Sequence, residues 1–292
     1  MNKKYIILIL LLVGNLVLWG ESDFIRPVNA SLWTNVTSDH FGKVEGQNIS
    51  INVLSVSKAN LYGTSMSLFA DVRPLCYGAQ FSVGANVLSN SLIGVQFSAG
   101  ANIVKKDAKG YQLGLYNQAD RLWGKQLGVV NFSAVTKGTQ LGLVNISTNN
   151  ILGLQMGVIN IASHVSGVQF GLINIADSNE DIAFGVINII KNGYYSHNFW
   201  VNEQGIPFYG FRHGTNNFYM ELSAGIKDAE DPVSWMGGAV FGSREERGFL
   251  DFDINLGSYT INEDTLWEVH DLHQLNQCKA TIGLDFFGLA TA

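Results

Sequence analysis

The residues best suited to chemistry lie near the C-terminus, where Glu268, His270, Asp271 and His273 form the chain's only cluster of histidine and carboxylate groups. Such groups bind zinc or transfer protons, and Glu268 and His270 would share one face of a strand because side chains alternate there. One hypothesis is therefore a secreted hydrolase that depends on His270 or His273. We favour the simpler interpretation that these are polar residues of a loop or a sheet edge.

Other motifs that indicate an enzyme or a cofactor site are missing from the sequence. There is no G-x-S-x-G nucleophile elbow, and no glycine-rich phosphate loop precedes a helix. Calcium-binding repeats need aspartate at fixed positions, where the repeats of this chain carry amides. We therefore predict a non-enzymatic protein with no catalytic, cofactor-binding or metal-ligating residues and no cofactor.

The composition indicates a packed all-β protein. Of 292 residues, only 14% are charged, against about 25% in ordinary soluble domains. Glycine occurs 32 times and proline 4 times, while 47% of the residues are hydrophobic. The formal net charge of -6, without any large Lys/Arg cluster, argues against a nucleic-acid partner.

The N-terminus has the pattern of a secretory signal peptide. Lys3 and Lys4 precede an apolar run, residues 5–19, that is short for a membrane-spanning helix. We predict a signal peptide over residues 1–20 and an exported protein, with an uncleaved anchor as the alternative. Cys76 and Cys278 are the only cysteines, and two unpaired thiols are favoured over a disulfide between them.

A repeat with a period of about fourteen residues occupies the middle of the chain. Its units follow the pattern G-x-Q-[LMF]-G-x-[VI]-N, as in residues 124–131, and a leading segment, residues 21–44, precedes them. Six asparagines mark equivalent positions in successive units: Asn117, Asn131, Asn145, Asn160, Asn174 and Asn188. With looser copies before them, the predicted β-repeat array covers residues 45–193 in about ten units. Residues 138–176 of this array contain no charged side chain.

Two β architectures can use a unit of this length, a solenoid of stacked coils or an antiparallel meander of strands long enough to cross a bilayer. As one continuous strand, the unit from Gly167 would mix apolar and polar residues on both faces. A corner near Leu172 resolves the conflict, and we expect it to turn Phe170, Leu172, Ile173 and Ile175 inward. Gln and Asn would then form stacked ladders. The solenoid is the favoured architecture.

The last hundred residues, 194–292, show the strict alternation of amphipathic antiparallel strands. In residues 218–226 and 250–256, apolar side chains alternate with polar ones. We expect six or seven strands in this region, with residues 243–247 as a charged hairpin tip. The alternation fits either a soluble sheet with one buried face or an outer-membrane β-barrel. A barrel would need further strands from the repeats.

The repeats resemble a functionally uncharacterised family of bacterial surface repeat proteins described from spirochaetes. The matching features are the G-x-Q-[LMF]-G-[LV]-[VI]-N units, the exit segment 188–193 and the segments 28–33 and 46–52, within residues 24–226. This resemblance implies an envelope or surface location and no enzyme. We expect a structural or interaction role at the outer membrane or cell surface, with a channel or transport barrel as the alternative. The partner is unknown; outer-membrane lipid and other envelope or host-surface components are the candidates.

Overall fold

A computed structural model describes residues 24–31, 44–202, 205–228, 234–247, 250–262 and 272–284. Within these ranges every regular element is a β-strand. The chain divides into two compact units, residues 1–161 and residues 162–292. The first unit contains β1 to β9 and the beginning of β10, and the second contains the rest of β10 and all later strands.

The first twelve strands belong to one sheet, in which every strand pair is parallel. Their bounds are β1 Phe24–Ser31, β2 Val44–Val56, β3 Asn60–Arg73, β4 Cys76–Ser82, β5 Ala85–Leu88, β6 Leu92–Ser98, β7 Ala101–Leu113, β8 Tyr116–Leu127, β9 Val130–Leu141, β10 Val144–Asn179, β11 Ile182–Phe184 and β12 Ile187–Ile190. Parallel pairing along a whole series of short repeats is the mark of a β-solenoid, because each coil must stack on the one before it.

The register of the coils follows the repeat residue by residue. Asn117 pairs with Asn131 between β8 and β9, and Asn131 pairs with Asn145 between β9 and β10. Gln126 is likewise in register with Gln140. The preference for a solenoid over an antiparallel meander is thus confirmed, and so is the expected stacking of Gln and Asn.

The predicted inward orientation of the apolar residues is wrong. Phe170 and Leu172 are 45% and 55% exposed, and Ile173 and Ile175 are only half-buried. Gln169 and Asn174 are completely buried instead. The reason is that a buried amide is tolerated when a neighbouring coil supplies a partner for each of its polar atoms.

The first glycine of each unit makes the close approach of neighbouring coils possible. Gly138 has a φ of +143°, and a Cβ atom added to it would lie 2.0 Å from the carbonyl oxygen of Gly124 in the preceding coil. Only glycine combines this backbone conformation with the absence of a side chain. The backbone conformation and the lack of room for a side chain therefore both require glycine at these positions.

The six remaining strands form an antiparallel sheet in chain order. Their bounds are β13 Tyr194–Val201, β14 Pro207–Gly214, β15 Phe218–Asp228, β16 Ser234–Arg247, β17 Leu250–Asn262 and β18 Leu272–Leu284. Among the described strands, none from the repeats joins this sheet, so the alternative in which repeats extend it is wrong for this part of the chain. Residues 243–247 are also not a hairpin tip, because β16 continues to Arg247 and pairs with β17.

Several predictions concern residues outside the described ranges. These are the signal peptide at residues 1–20, most of the segment 21–44, and Glu268, His270 and Asp271. His273 lies in β18, but its side chain is not among those described. The preference for unpaired cysteines is confirmed, since Cys76 is a free buried thiol and Cys278 a free exposed one.

Candidate interaction surface

Glutamine side chains form a continuous hydrogen-bonded ladder inside the first unit. Each amide Nε2 donates to the amide oxygen of the glutamine one coil earlier, as from Gln140 to Gln126 at 2.9 Å and from Gln126 to Gln112 at 2.8 Å. The same bond joins the other neighbours from Gln155 back to Gln80. Because every bond points the same way, the ladder is polarised, with its N–H end at Gln80.

The asparagine ladder runs in the opposite direction. The Nδ2 of Asn117 donates to Asn131 at 2.9 Å, and Asn131 donates to Asn145 at 2.8 Å, in each case toward the later coil. Asn131 Nδ2 also donates to the carbonyl oxygen of Leu141. The hydrogen bonds of the two amide ladders therefore point in opposite directions along the solenoid.

A buried ion pair lies where the glutamine ladder ends. Gln80 Nε2 donates to Asp71 at 3.0 Å, and the other carboxylate oxygen accepts from Arg73 at 2.8 Å. Arg73 also donates to Gln47 and Ser50, 26 and 23 residues earlier. Both charged side chains are fully buried. The pair replaces the amides in the first, degenerate coils, and the sequence pattern gave no sign of it, because its partners come from three different coils.

In the second unit, a histidine meets the last residue of the asparagine series. The backbone N–H of Asn188 donates to Nδ1 of His213 in β14 at 3.2 Å, and the Asn188 side chain lies 3.4 Å from the same nitrogen. Burial lowers the pKa of His213, and a hydrogen bond to the backbone of Val186 only partly offsets that effect. Neutral His213 thus supplies the acceptor that the terminal coil needs.

The outward side chains of the first unit form a surface that we call the outer face. It consists of three columns in register over six coils. Before each first glycine stand Tyr77, Ile93, Lys109, Trp123, Lys137 and Leu152. After each first glycine stand Ala79, Val95, Tyr111, Lys125, Thr139 and Leu154. After each glutamine stand Phe81, Phe97, Leu113, Leu127, Leu141 and Met156.

This outer face is apolar, aromatic and basic, and it contains no acidic residue. Phe97 is 48% exposed and Tyr111 is 47% exposed, while the hydrogen-bonding amides lie inside. The other outward strand positions of the coils, such as Val130 and Phe132, are also apolar but half-buried. Soluble proteins seldom expose continuous apolar patches of this kind unless they bind a protein or a membrane. The interior of the solenoid thus combines the buried amides with an apolar cluster that includes Leu61, Leu92 and Leu122, while the outer face is itself mainly apolar.

Two of the three lysines of the outer face lie over aromatic rings. Lys109 Nζ lies 4.3 Å from the ring centroid of Trp123, and Lys125 Nζ lies 6.0 Å from that of Tyr111. Lys137 belongs to the coil that follows Trp123 and is in register with it. A ring orients an ammonium group without neutralising it. Among the described residues, no carboxylate pairs with these lysines, in contrast to Arg121, which pairs with Asp107.

The antiparallel sheet also buries polar side chains. Its polar series is buried: Glu221 accepts from Arg212 and Asn198, and Tyr219 donates to Asp253 at 2.7 Å. Arg212 also reaches Asp253 across two intervening strands, which requires the sheet to curl around these groups. Burial and the bond to Asp253 raise the pKa of Tyr219.

The apolar series of this sheet faces outward. Ile254, Leu256 and Ile282 are 61%, 60% and 69% exposed. A shallow depression of about 470 Å³ on this side is lined by residues that include Phe241, Leu256 and Cys278. Along residues 252–256 the apolar side chains are thus exposed and the polar ones buried, so the alternative of a sheet that buries this apolar series is wrong there. Other apolar side chains of the same sheet, among them Phe208, Met236 and Val240, form a buried cluster.

No group of three or more metal-ligating side chains occurs within the ranges that the structure describes. The same ranges contain no helix of the length and hydropathy needed to cross a bilayer. The buried charged groups Asp71, Arg73, Glu221 and Asp253 are engaged in structural ion pairs and hydrogen bonds. The outer face, in contrast, carries three lysines that no carboxylate among the described residues pairs with. Sequence reasoning missed this surface, although the lysines, Tyr111 and Trp123 at equivalent repeat positions are a visible signal.

Comparison of the chain with models of protein families, with curated proteins and with solved structures found no match.

Proposed function

We propose that this chain is a non-enzymatic protein of the bacterial envelope, exported to the outer membrane or cell surface, where its solenoid serves as an interaction scaffold. The observation that carries the proposal is the mainly apolar outer face of a solenoid in which the amides are buried as hydrogen-bonded ladders. Large exposed apolar surfaces of this kind usually mark sites that bind a protein or a membrane.

The ladders suit the scaffold role because they make the coils rigid. Interior amides such as Gln126 and Asn131 are bonded to the coils on both sides, so a local opening breaks several buried hydrogen bonds at once. Buried polar groups of this kind favour one register over its alternatives, because a slip by one residue would leave every amide unpaired. A rigid array then presents its outward columns at a constant spacing.

The export signal at residues 1–20 and the resemblance to spirochaete surface proteins support the envelope location. The test is fractionation of cells that produce the full chain, followed by mass spectrometry of the purified protein. We expect the protein in the envelope fraction, without its first twenty residues. A chain that stays in the cytoplasm with its N-terminus intact would contradict the proposal.

The scaffold role has a separate test on the purified protein. If the coils are rigid, amide hydrogens of β8 and β9 should be among the slowest to exchange with solvent. Rapid exchange there would rule out a rigid scaffold. A screen for hydrolase activity is the control, since any turnover of substrate would contradict the non-enzymatic assignment.

A further inference from the structure

We propose that the outer face binds an anionic lipid bilayer, with Lys109, Lys125 and Lys137 contacting lipid phosphates while the neighbouring apolar side chains enter the interfacial layer. This inference rests on the proposed envelope location, for which it names the partner.

The charge of this region differs from that of the rest of the chain. Residues 105–137 contain six basic and two acidic residues, while the whole chain has 18 basic and 24 acidic residues. One of the two acidic residues, Asp107, is already paired with Arg121. The three lysines of the outer face have rings, not carboxylates, as neighbours. A surface of this charge attracts anionic headgroups, and each lysine near a membrane contributes about 1 kcal/mol to binding.

The residue types distinguish a bilayer from a soluble polyanion. Trp123 and Tyr111 stand beside lysines, and this combination is typical of the interface between lipid headgroups and acyl chains. The adjacent column contains Phe81, Phe97 and Met156, which are 37%, 48% and 42% exposed. An acidic polysaccharide would require hydrogen-bonding side chains, of which this face offers few. The apolar majority favours lipid.

The regular stacking of the coils arranges the lysines along the solenoid. They belong to three consecutive coils, which are about 4.8 Å apart, so their ammonium groups can contact phosphates of adjacent lipids together. The apolar columns continue on both sides of them, from Tyr77 to Leu152. A continuous array of side chains in register can contact several lipids at once.

A second copy of the chain is a less suitable partner for the same face. In a symmetric dimer the identical surfaces meet, so the lysines of each copy would be buried against a face without a single acidic side chain. Burying unpaired ammonium groups is strongly unfavourable. The charge pattern therefore favours a bilayer.

The experiment measures binding of the purified full chain to vesicles by co-sedimentation. We expect binding to vesicles that contain 3 parts of phosphatidylglycerol to 7 parts of phosphatidylcholine, and weakening by salt, because such headgroup contacts are screened. The triple variant Lys109→Gln, Lys125→Gln, Lys137→Gln should bind roughly 100-fold more weakly. The matched control Lys58→Gln, Lys191→Gln, Lys279→Gln removes the same charge elsewhere and should bind like the wild type.

Two further measurements keep the proposal falsifiable. Brominated lipid should quench the fluorescence of Trp123, and this part of the quenching should vanish in Trp123→Leu. Leucine should fit at this position because Leu152 occupies the equivalent position in another coil. Equal binding of both triple variants would overturn the proposal. So would binding of polygalacturonate but not vesicles, or a stable dimer that Phe97→Ser dissociates.

The failure of this inference and the failure of the envelope location have different signatures. A chain that is found in the envelope fraction but ignores anionic vesicles contradicts only the lipid partner. A chain that binds vesicles but remains in the cytoplasm contradicts only the location.

Discussion

The amide of Gln80 donates to the carboxylate of Asp71 over 3.0 Å, and this single bond ends the glutamine ladder of the solenoid. The ladder presents its N–H end at this position, so a carboxylate is the strongest acceptor that it can meet. Arg73 then balances the charge of Asp71 inside the protein. A buried ion pair thus connects the regular coils to the degenerate first coils.

Replacement of Asp71 by asparagine should strongly destabilise the first unit. The change leaves the fully buried guanidinium of Arg73 without a counter-charge, at an expected cost of about 3–5 kcal/mol in the free energy of unfolding. Urea denaturation measures it. Asp107→Asn is the control, since it breaks the exposed pair with Arg121 and should cost at most about 1 kcal/mol. Equal effects of the two changes would show that the buried pair has no special role.

Replacement of Asn131 by alanine tests the asparagine ladder. It removes the bonds to Asn117 and Asn145 and leaves the Asn145 oxygen buried without its donor. We expect a loss of about 1–3 kcal/mol, seen as a lower melting temperature. Asn149→Ala changes an exposed asparagine outside the ladder and should have little effect. An unchanged melting temperature for Asn131→Ala would be incompatible with the ladder.

The first-glycine column predicts a sharp contrast between two glycine-to-alanine changes. In Gly138→Ala the new methyl group would overlap the carbonyl of Gly124, so we expect a loss of roughly 3–5 kcal/mol or a failure to fold. In Gly205→Ala nothing lies within 4 Å of the added Cβ. Only the positive φ then matters, at about 1–2 kcal/mol. Thermal denaturation of both variants makes the comparison, and similar losses would contradict the close stacking of the coils.

His213 should make the second unit less stable in acid. Because burial lowers its folded pKa, the unfolded chain binds the proton more readily, so stability is complete above the unfolded pKa of about 6.5 and falls as the pH drops below it. Unfolding curves at pH 7.5 and 5.5 measure the change. His213→Gln should lose less stability between these two pH values than the wild type. His197→Gln, at an exposed site, should behave like the wild type, and a smaller pH effect there would argue against the assignment to His213.

The two thiols should differ in reactivity. Cys278 is exposed, whereas burial, with a smaller contribution from the Asp71 charge, raises the pKa of Cys76 to about 12. A thiol reagent at pH 8 should therefore modify one cysteine in the native protein and a second one only after denaturation. The variant Cys278→Ser should not react until it unfolds. Rapid modification of both thiols would mean that the coil around Cys76 opens easily.

Much of the fold could be predicted from the sequence because the repeat itself contains the information. Equal spacing of Gln126, Gln140 and their equivalents is enough to predict stacked coils, since identical amides can bond to one another only in register. The alternation in residues 218–226 and 250–256 likewise predicts antiparallel strands. Local periodicity is visible in the chain without knowledge of any distant contact.

The orientation of the side chains was decided only by the tertiary structure. Phe170 and Leu172 were expected inside, because hydrophobic burial usually dominates folding. In the solenoid, the φ of the first glycine and the partners supplied by adjacent coils bring Gln169 and Asn174 inside instead.

The environment of Arg73 and the lysine–aromatic contacts of the outer face are also tertiary features. The partners of Arg73 come from another coil, 26 and 23 residues earlier, at separations that the repeat does not encode. Lys109 and Trp123 are one repeat apart, so their register is visible in the sequence, but the position of the ammonium group over the ring is not. The sequence by itself determined the repeat, its register and the strand class. The three-dimensional stacking determined which residues meet, because a side chain's neighbours in a solenoid lie one full coil away along the chain.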